Sequence, residues 1–337
     1  MNLKEFLAEW HNDAKEILVH TSGSTGKPKP LMVEKQRMLN SARITCDFLG
    51  LQPGDTALLC MSLDYIAGKM MVVRSLERHL HLIAESPNGH PLSEESLRSA
   101  GCKLDAEFTF AAMVPMQVFN SLQVPQERER LMRIQHLIIG GGAIDEKMEQ
   151  QLSAFPHSVW STYGMTETLS HIALRRLNGP NASLYYTPFE SVKVSTNEEG
   201  CLMIDAPLVS KQILVTNDIA ELKTLHNVQS GKDQTIFRIK GRKDNVICSG
   251  GIKIQIEEVE DLLKPLLEKP FMIAKVKDEK FGEKAILLTE DPHTEHIQQI
   301  CEEKLPKYWI PKAYHYIQKL PTTETGKPKR WGIEDIL

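Results

Sequence analysis

The sequence predicts an α/β protein of two domains, a large layered one over residues 1–241 and a small α+β one over 242–337. Three observations predict it. Short apolar runs alternate with amphipathic stretches through the first 140 or so residues, the pattern of strands and helices in layers. From about residue 200 the pattern becomes richer in β-forming runs. Finally, a charged cluster, Gly241-Arg242-Lys243-Asp244, sits between two β-like runs and marks the junction. A chain of 337 residues also exceeds one comfortable hydrophobic core.

The elements follow in order. Leu3, Phe6, Leu7 and Trp10 recur at helical spacing and predict a short amphipathic helix. Ile17-Leu18-Val19 is a strand that feeds the loop Thr21-Ser22-Gly23-Ser24-Thr25-Gly26-Lys27-Pro28-Lys29. A helix is expected from about Glu34 to Leu49, closed by Gly50 and followed by a Pro53-Gly54-Asp55 turn. Thr56 to Met61 reads as a buried strand, and Tyr65 to Leu76 as an apolar helix that carries Gly68, Lys69 and Arg74. Further strands are expected at Leu80–Ile83, Phe108–Met113 and His136–Ile139, then at Leu202–Ile204 and Ile213–Thr216. In the second domain, Ile256 to Leu267 reads as an acidic amphipathic helix and Pro321 to Arg330 as a polar loop.

Composition excludes several classes. A net charge of −4 offers no polyanion-binding field, so nucleic acid and anionic membrane are not expected partners. No apolar stretch reaches the length of a membrane span. The acidic start, with Glu5, Glu9 and Asp13, lacks the plan of a signal peptide. Six cysteines without CxxC pairs read as reduced thiols, and the expected compartment is the cytoplasm.

The glycine loop holds the densest chemistry. Within Thr21 to Lys29, glycines allow close backbone approach, hydroxyls and amides donate, and ammonium groups neutralise charge, which suits a polyphosphate. It is not a Walker P-loop, since Pro28 stands where that motif needs a hydroxyl. Ile139-Gly140-Gly141-Gly142-Ala143 could lie flat against a planar ligand, or serve as a plain strand-to-helix turn. Tyr163-Gly164-Met165-Thr166-Glu167-Thr168 brings together an aromatic plane, hydroxyls and a carboxylate, parts for stacking a base, touching phosphate and holding Mg²⁺; an ordinary loop reads equally. Asp218, after the strand Ile213–Thr216, could accept from ribose hydroxyls or cap a turn. Thr323-Glu324-Thr325-Gly326-Lys327 offers a loop lysine, which alone would carry no meaning.

Their order carries meaning. Phosphate-type loop, Gly-Gly-Ala, Tyr-Gly-x-Thr-Glu, Asp218, Gly-Arg-x-Asp, Ser-Gly-Gly and a closing Gly-Lys resemble the adenylate-forming superfamily of acyl- and aryl-CoA ligases, luciferases and nonribosomal adenylation domains, from about residue 18 to 330. The resemblance implies the adenylate-forming fold, here with a shortened large N-terminal domain because little chain precedes the phosphate loop. Surface left bare by that shortening would be capped by the Leu3–Trp10 helix or by a second subunit, as in a homodimer.

Carried over residue by residue, the resemblance implies that Thr21, Ser22, Gly23, Ser24, Thr25, Gly26 and Lys27 cradle the ATP phosphates. Gly141, Gly142, Ala143 and Tyr163 would meet adenine, Gly164 would belong to the ATP site, Thr166 would meet the phosphate and acyl-adenylate, and Glu167 the Mg²⁺. Asp218 and Arg242 would hold the ribose, Asp244 would be the interdomain hinge, and Ser249, Gly250 and Gly251 would face CoA. Lys327 would bridge the substrate carboxylate and the α-phosphate. The implied reaction is attack of a carboxylate on the α-phosphorus of ATP, loss of pyrophosphate, and thioester formation with CoA. The nucleophile is already an anion, so positioning and electrostatics suffice.

Two stretches bear on the acid. Lys69 and Arg74 put two cations on an otherwise apolar segment that also holds Tyr65, and Ser170-His171 follows the Tyr-Gly-x-Thr-Glu motif. These cations could be structural, snorkelling or salt-bridged, or one could meet an acid with a second carboxylate. "YIAGKMMVVRSL" and "YGMTETLSHIALR" resemble the o-succinylbenzoate–CoA ligase family of menaquinone biosynthesis. That resemblance implies an aromatic dicarboxylic substrate contacted by Tyr65, Lys69, Arg74, Ser170 and His171, while any other aryl- or acyl-CoA ligase, or a non-catalytic nucleotide- or acyl-binding protein, stays open.

Overall fold

The computed structural model describes residues 1–20, 30–227, 232–322, 328–330, 332, 333 and 336. The chain forms two compact units. The first is Met1–Val194 with Ile204–Leu214 and Lys223–Phe237; the second is Ser195–Met203, Val215–Leu222 and Arg238–Leu337. The expected junction at 241/242 lies close to Arg238. The second unit also takes in two earlier segments that no local composition shift marks.

In the first unit, helix α1 (Leu3–His11) starts at a reciprocal cap. The Asn2 side chain accepts from the Glu5 N–H, and the Glu5 carboxylate accepts from the Asn2 N–H. Strands β1 (Glu16–His20) and β2 (Pro30–Glu34) form an antiparallel ribbon whose ends meet at His20 and Pro30. Ile17, Val19 and Val33 are its buried residues, as the period of two requires. The strand β2 has no counterpart in the sequence reading, which ran the loop directly into the helix. That helix is α2 (Lys35–Leu49), and it stops at Gly50 in the left-handed conformation.

Next come β3 (Thr56–Leu59), α3 (Ile66–Arg78), β4 (His81–Ala84), α4 (Glu94–Ser99), β5 (Phe110–Met113), α5 (Pro115–Gln123), α6 (Pro125–Arg133), β6 (His136–Ile139), α7 (Glu146–Ser153), β7 (Ser158–Gly164), β8 (His171–Arg176) and β9 (Thr187–Pro188). They build a seven-stranded sheet in the order β4-β3-β5-β6-β7-β8-β9. The strands from β4 to β7 are parallel, each joined to the next in sequence by helices, as parallel pairing demands. After β7 the chain turns back tightly, so β8 and β9 add antiparallel. Leu58, Ala111, Leu137, Ile139 and Val159 place sheet residues in a core shared with Val118, Leu131, Met148 and Leu152 from the helices.

Strands β10 (Lys193–Thr196), β11 (Cys201–Asp205), β12 (Leu214–Asn227) and β13 (Lys232–Arg242) pair in that order. Strand β12 runs well beyond the short strand expected at 213–216. Asp218 therefore lies within a strand and not after one, because ladder pairing carries the polar segment that local reading takes for a turn.

In the second unit, a 3₁₀ turn (Lys243–Asn245) leads to β14 (Val246–Ser249), β15 (Ile252–Gln255), α8 (Ile256–Leu263), β16 (Phe271–Asp278), β17 (Gly282–Thr289), α9 (Thr294–Lys304) and β18 (Tyr314–Tyr316). The sheet order is β15-β14-β17-β16, with β18 parallel to β17. Helix α8 ends at Leu263, short of the expected Leu267, since Pro265 has no N–H to extend the ladder. Val259, Leu263, Ile273, Leu287 and Ile297 form the core beneath this sheet.

Candidate active site

Strands β6 and β7 are parallel neighbours, paired up to Ile139 and Ser161, so the segments that follow them emerge at the same sheet edge. Gly140 to Ala143 follows β6, and Tyr163-Gly164 closes β7. This carboxyl edge of a parallel sheet is where open α/β sheets take ligands. Tyr163 is held by other rings. Its centroid lies 5.0 Å from that of Phe237, edge-on, and 5.8 Å from that of Tyr186. Tyr186 stacks on Phe237, and its hydroxyl lies 2.8 Å from the Ser161 hydroxyl. Tyr186 and Phe237 escaped sequence reasoning; Tyr186 comes just before β9 and Phe237 from the middle of β13, far along the chain, and only the apolar period of β13 hints at Phe237.

The turn from β7 to β8 is unusually tight. A Cβ on Gly164 would stand inside contact distance of the Ser170 carbonyl and the His171 Cα, so only glycine permits this approach. Thr168 staples the turn, its hydroxyl bonding the Ser170 carbonyl at 2.6 Å and accepting from the Met165 N–H at 2.9 Å. Leu169 takes a positive φ of 64° to complete it. Thr166 is buried in the 3₁₀ turn Thr166–Thr168, with the half-exposed Glu167 next to it. Among the described residues, the Glu167 carboxylate meets no hydrogen-bond donor and no cation. A free carboxylate of this kind fits Mg²⁺, which takes one or two carboxylates and completes its shell with phosphate oxygens and water. No group of three or more His, Cys, Asp or Glu side chains placed to hold a metal ion by themselves occurs among the described residues.

The two candidate substrate cations diverge. Lys69 and Arg74 are five positions apart on α3, about 140° around a helix. The Lys69 ammonium points under α1, 5.3 Å from the Phe6 ring centroid and 3.5 Å from the Met1 sulfur. Burial pushes its pKa below the ordinary lysine value. Met1 is itself tied down, its amino group 2.9 Å from Asp64. Arg74, on the other face and only 2 % exposed, donates from Nη2 to the Ser170 hydroxyl at 2.7 Å. Its Nε has no hydrogen-bond partner, and no carboxylate neutralises it among the described residues. Burial pushes its pKa down to about 10. The structure thus gathers Arg74, Ser170 and His171, and puts Lys69 elsewhere. Tyr65 is the residue before the first turn of α3.

In the second unit, Arg242 bridges two carboxylates, donating to Asp218 at 2.8 Å and to Asp244 at 2.7 Å. Gly250 and Gly251, with φ of 57° and 84°, form the two-residue turn between β14 and β15, where Ser249 faces Ile252. Consecutive positive φ values explain both glycines locally. The residues Thr21, Ser22, Gly23, Ser24, Thr25, Gly26 and Lys27, and likewise Lys327, lie outside the described residues. The described ends around them are paired, His20 with Pro30 and Thr322 with Pro328.

The AMP-binding enzyme family model matches residues 7–205. The chain belongs to the AMP-binding enzyme family. The 2-succinylbenzoate–CoA ligase of Bacillus licheniformis is 27% identical over 345 aligned residues, which cover 95% of this chain and 70% of that protein. The acyl-CoA synthetase (AMP-forming)/AMP-acid ligase II-like protein of Dyadobacter fermentans is 32% identical in its crystal structure, with a TM-score of 0.63 over 99% of this chain and 93% of that one. The o-succinylbenzoate coenzyme A synthetase of Bacillus subtilis, solved in complex with ATP and magnesium ion, superposes with a TM-score of 0.73 at 22% identity. It covers 94% of this AMP-binding enzyme and 69% of the Bacillus chain, and it bears on the fold alone. This family member is an adenylate-forming acid–CoA ligase in its general chemistry, with ATP and CoA as co-substrates. No helix among its described residues is long and apolar enough to cross a membrane.

Proposed function

We propose that this ligase activates o-succinylbenzoate, forming the acyl-adenylate and then o-succinylbenzoyl-CoA, as a step of menaquinone biosynthesis in the cytoplasm. The observation that carries this reading is Arg74. A buried guanidinium bound, among the described residues, only to neutral groups is costly unless an anion completes it. A dicarboxylic acid supplies that anion with its second carboxylate while the first attacks ATP. Ser170 and His171 beside it add polar edges that a fatty-acid tunnel would not need. The name and 27% identity of the Bacillus licheniformis relative support the same substrate.

In this reading the remaining roles follow the motifs. Thr21 to Lys27 cradle the triphosphate, Gly141 to Ala143 and Tyr163 take adenine, and Asp218 and Arg242 take the ribose. Glu167 would hold Mg²⁺, which when bound would supply positive charge to the phosphate oxygens. Thr166 would contact the phosphate of the adenylate, and Lys327 would join the carboxylate to the α-phosphate. The small domain, from residue 242 onward, would turn about Asp244 to present Ser249-Gly250-Gly251 to CoA.

The Dyadobacter fermentans likeness, with its higher identity and near-equal length, favours a second reading, a different acyl acid. ATP–pyrophosphate exchange measured with o-succinylbenzoate, benzoate and fatty acids separates the two. Exchange confined to o-succinylbenzoate supports the first; equal exchange with benzoate or with a fatty acid removes it. No exchange with any acid would leave a binding protein.

A further inference from the structure

We infer that Thr45 is a positioning residue for acid selectivity, holding Arg74 through a one-way hydrogen-bond relay over His171 and Ser170. The inference rests on the reading of Arg74 as the group that meets the substrate's second carboxylate.

Four contacts make the relay. The Thr45 hydroxyl lies 3.1 Å from the Ser41 carbonyl one turn back on α2 and 3.0 Å from His171 Nε2. His171 Nδ1 is 3.2 Å from the Ser170 hydroxyl, which is 2.7 Å from Arg74 Nη2. Thr45 is fully buried, and His171 nearly so. Both ends of the chain are chemically fixed. A carbonyl can only accept, so the single Thr45 hydrogen goes to Ser41. Thr45 Oγ1 must then accept from His171, which places the imidazole hydrogen on Nε2. Nδ1 is left bare and accepts the Ser170 hydrogen. The Ser170 oxygen, having given up its hydrogen, accepts from Arg74, which can only donate. This is the sole assignment for a neutral His171 in which every contact is a hydrogen bond.

Two consequences follow. Ser170 has no hydrogen left for a substrate and acts only as an acceptor that steers the guanidinium. The guanidinium is then the donor available to a carboxylate, with Nε unpartnered among the described residues. Burial first, and the neighbouring Arg74 charge second, also keep His171 neutral, as the relay requires.

Thr45→Val keeps the shape of the side chain and deletes the link to His171, and Thr45→Ser keeps the link. The test is ATP–pyrophosphate exchange with o-succinylbenzoate and with benzoate, together with ¹⁵N NMR of His171, assigned with a His171→Gln variant. Expected are an Nε2–H tautomer from pH 5.5 to 8 in the wild type, and a KM for o-succinylbenzoate raised up to about tenfold by Thr45→Val, the size of one neutral buried hydrogen bond. The KM for benzoate should move far less, and Thr45→Ser should restore the ratio. An Nδ1–H tautomer or an imidazolium would overturn the relay. Equal KM shifts for both acids, or none, would overturn the positioning role. Arg74→Ala run alongside separates the two layers. If it discriminates the acids and Thr45→Val does not, the relay role fails alone. If Arg74→Ala treats both acids alike, the substrate reading fails and takes the relay role with it.

Discussion

Arg74 and Lys69 look interchangeable in sequence and are opposite in structure. Arg74→Ala should raise the KM for o-succinylbenzoate by about 10–100-fold, as expected for a lost hydrogen bond to a charged group. Lys69→Met should leave that KM within about twofold and change the thermal midpoint instead, because its ammonium sits against the Met1 sulfur and the Phe6 ring, away from the Arg74–Ser170 pair. Steady-state kinetics and thermal melts of the two variants check the split. For Lys327, adenylation by Lys327→Ala should slow by roughly 10²–10³-fold, the scale of one lost transition-state donor. Thioester formation from a supplied acyl-adenylate should be spared. Equal loss in both half-reactions would contradict the role. His171 adds a pH effect. Its folded pKa is depressed by burial first and by Arg74 second. Below the ordinary imidazole value of about 6.5 the unfolded chain binds a proton that the folded one refuses, so stability falls as pH drops through that range. His171→Gln should flatten the slope of thermal midpoint against pH there.

Elements position these residues, and some of that positioning was legible in sequence. The β6 strand and the glycine segment after it, and the α2 helix with its Gly50 stop, fall where local pattern puts them, since each depends on contiguous residues, whereas Tyr163 and Gly164, which local pattern puts in a loop, close the strand β7. The missing pieces depend on partners. Strand β2 exists because it pairs with β1, and β12 runs long because its neighbours β11 and β13 complete its ladder. Gly164 is a further case. Sequence marks it as part of a ligand motif, whereas the structure shows that it also lets β8 return at contact distance. Gly164→Ala should destabilise the protein by about 1–3 kcal/mol, the cost of forced overpacking, and weaken acid binding by moving Ser170. Chemical denaturation and KM measure the two effects. In the β4–α4 connection, burial pushes the Glu85 carboxyl up to about 8, with the Glu127 charge adding to it and Ser96 and Asn88 opposing. Between pH about 4.5 and about 8 the folded protein holds a proton that the unfolded chain has released. Stability should therefore decline as pH rises through that window, and Glu85→Gln should abolish the decline in thermal melts.

At the scale of the whole molecule, the chain is an AMP-binding enzyme of two compact units, and it spans 70% of the Bacillus relative and 93% of the Dyadobacter one. Its second unit is held by the buried Glu260, which takes Arg330 at 2.7 Å and the Ile273 N–H at 2.9 Å. Glu260→Ala should cost about 3–5 kcal/mol by stranding a half-buried guanidinium. Denaturant unfolding followed by a probe in this unit would register it. The sequence by itself determined the family and the α/β class. Nucleotide-binding motifs are short contiguous strings, and their chemistry and order survive without coordinates. Only the tertiary structure decided which of the two cations sits with Ser170 and His171, and that Thr45 stands behind them. Those residues lie on α2, α3 and the start of β8, far apart along the chain. Their meeting is a product of helix packing and of the tight β7–β8 return, which no local pattern encodes.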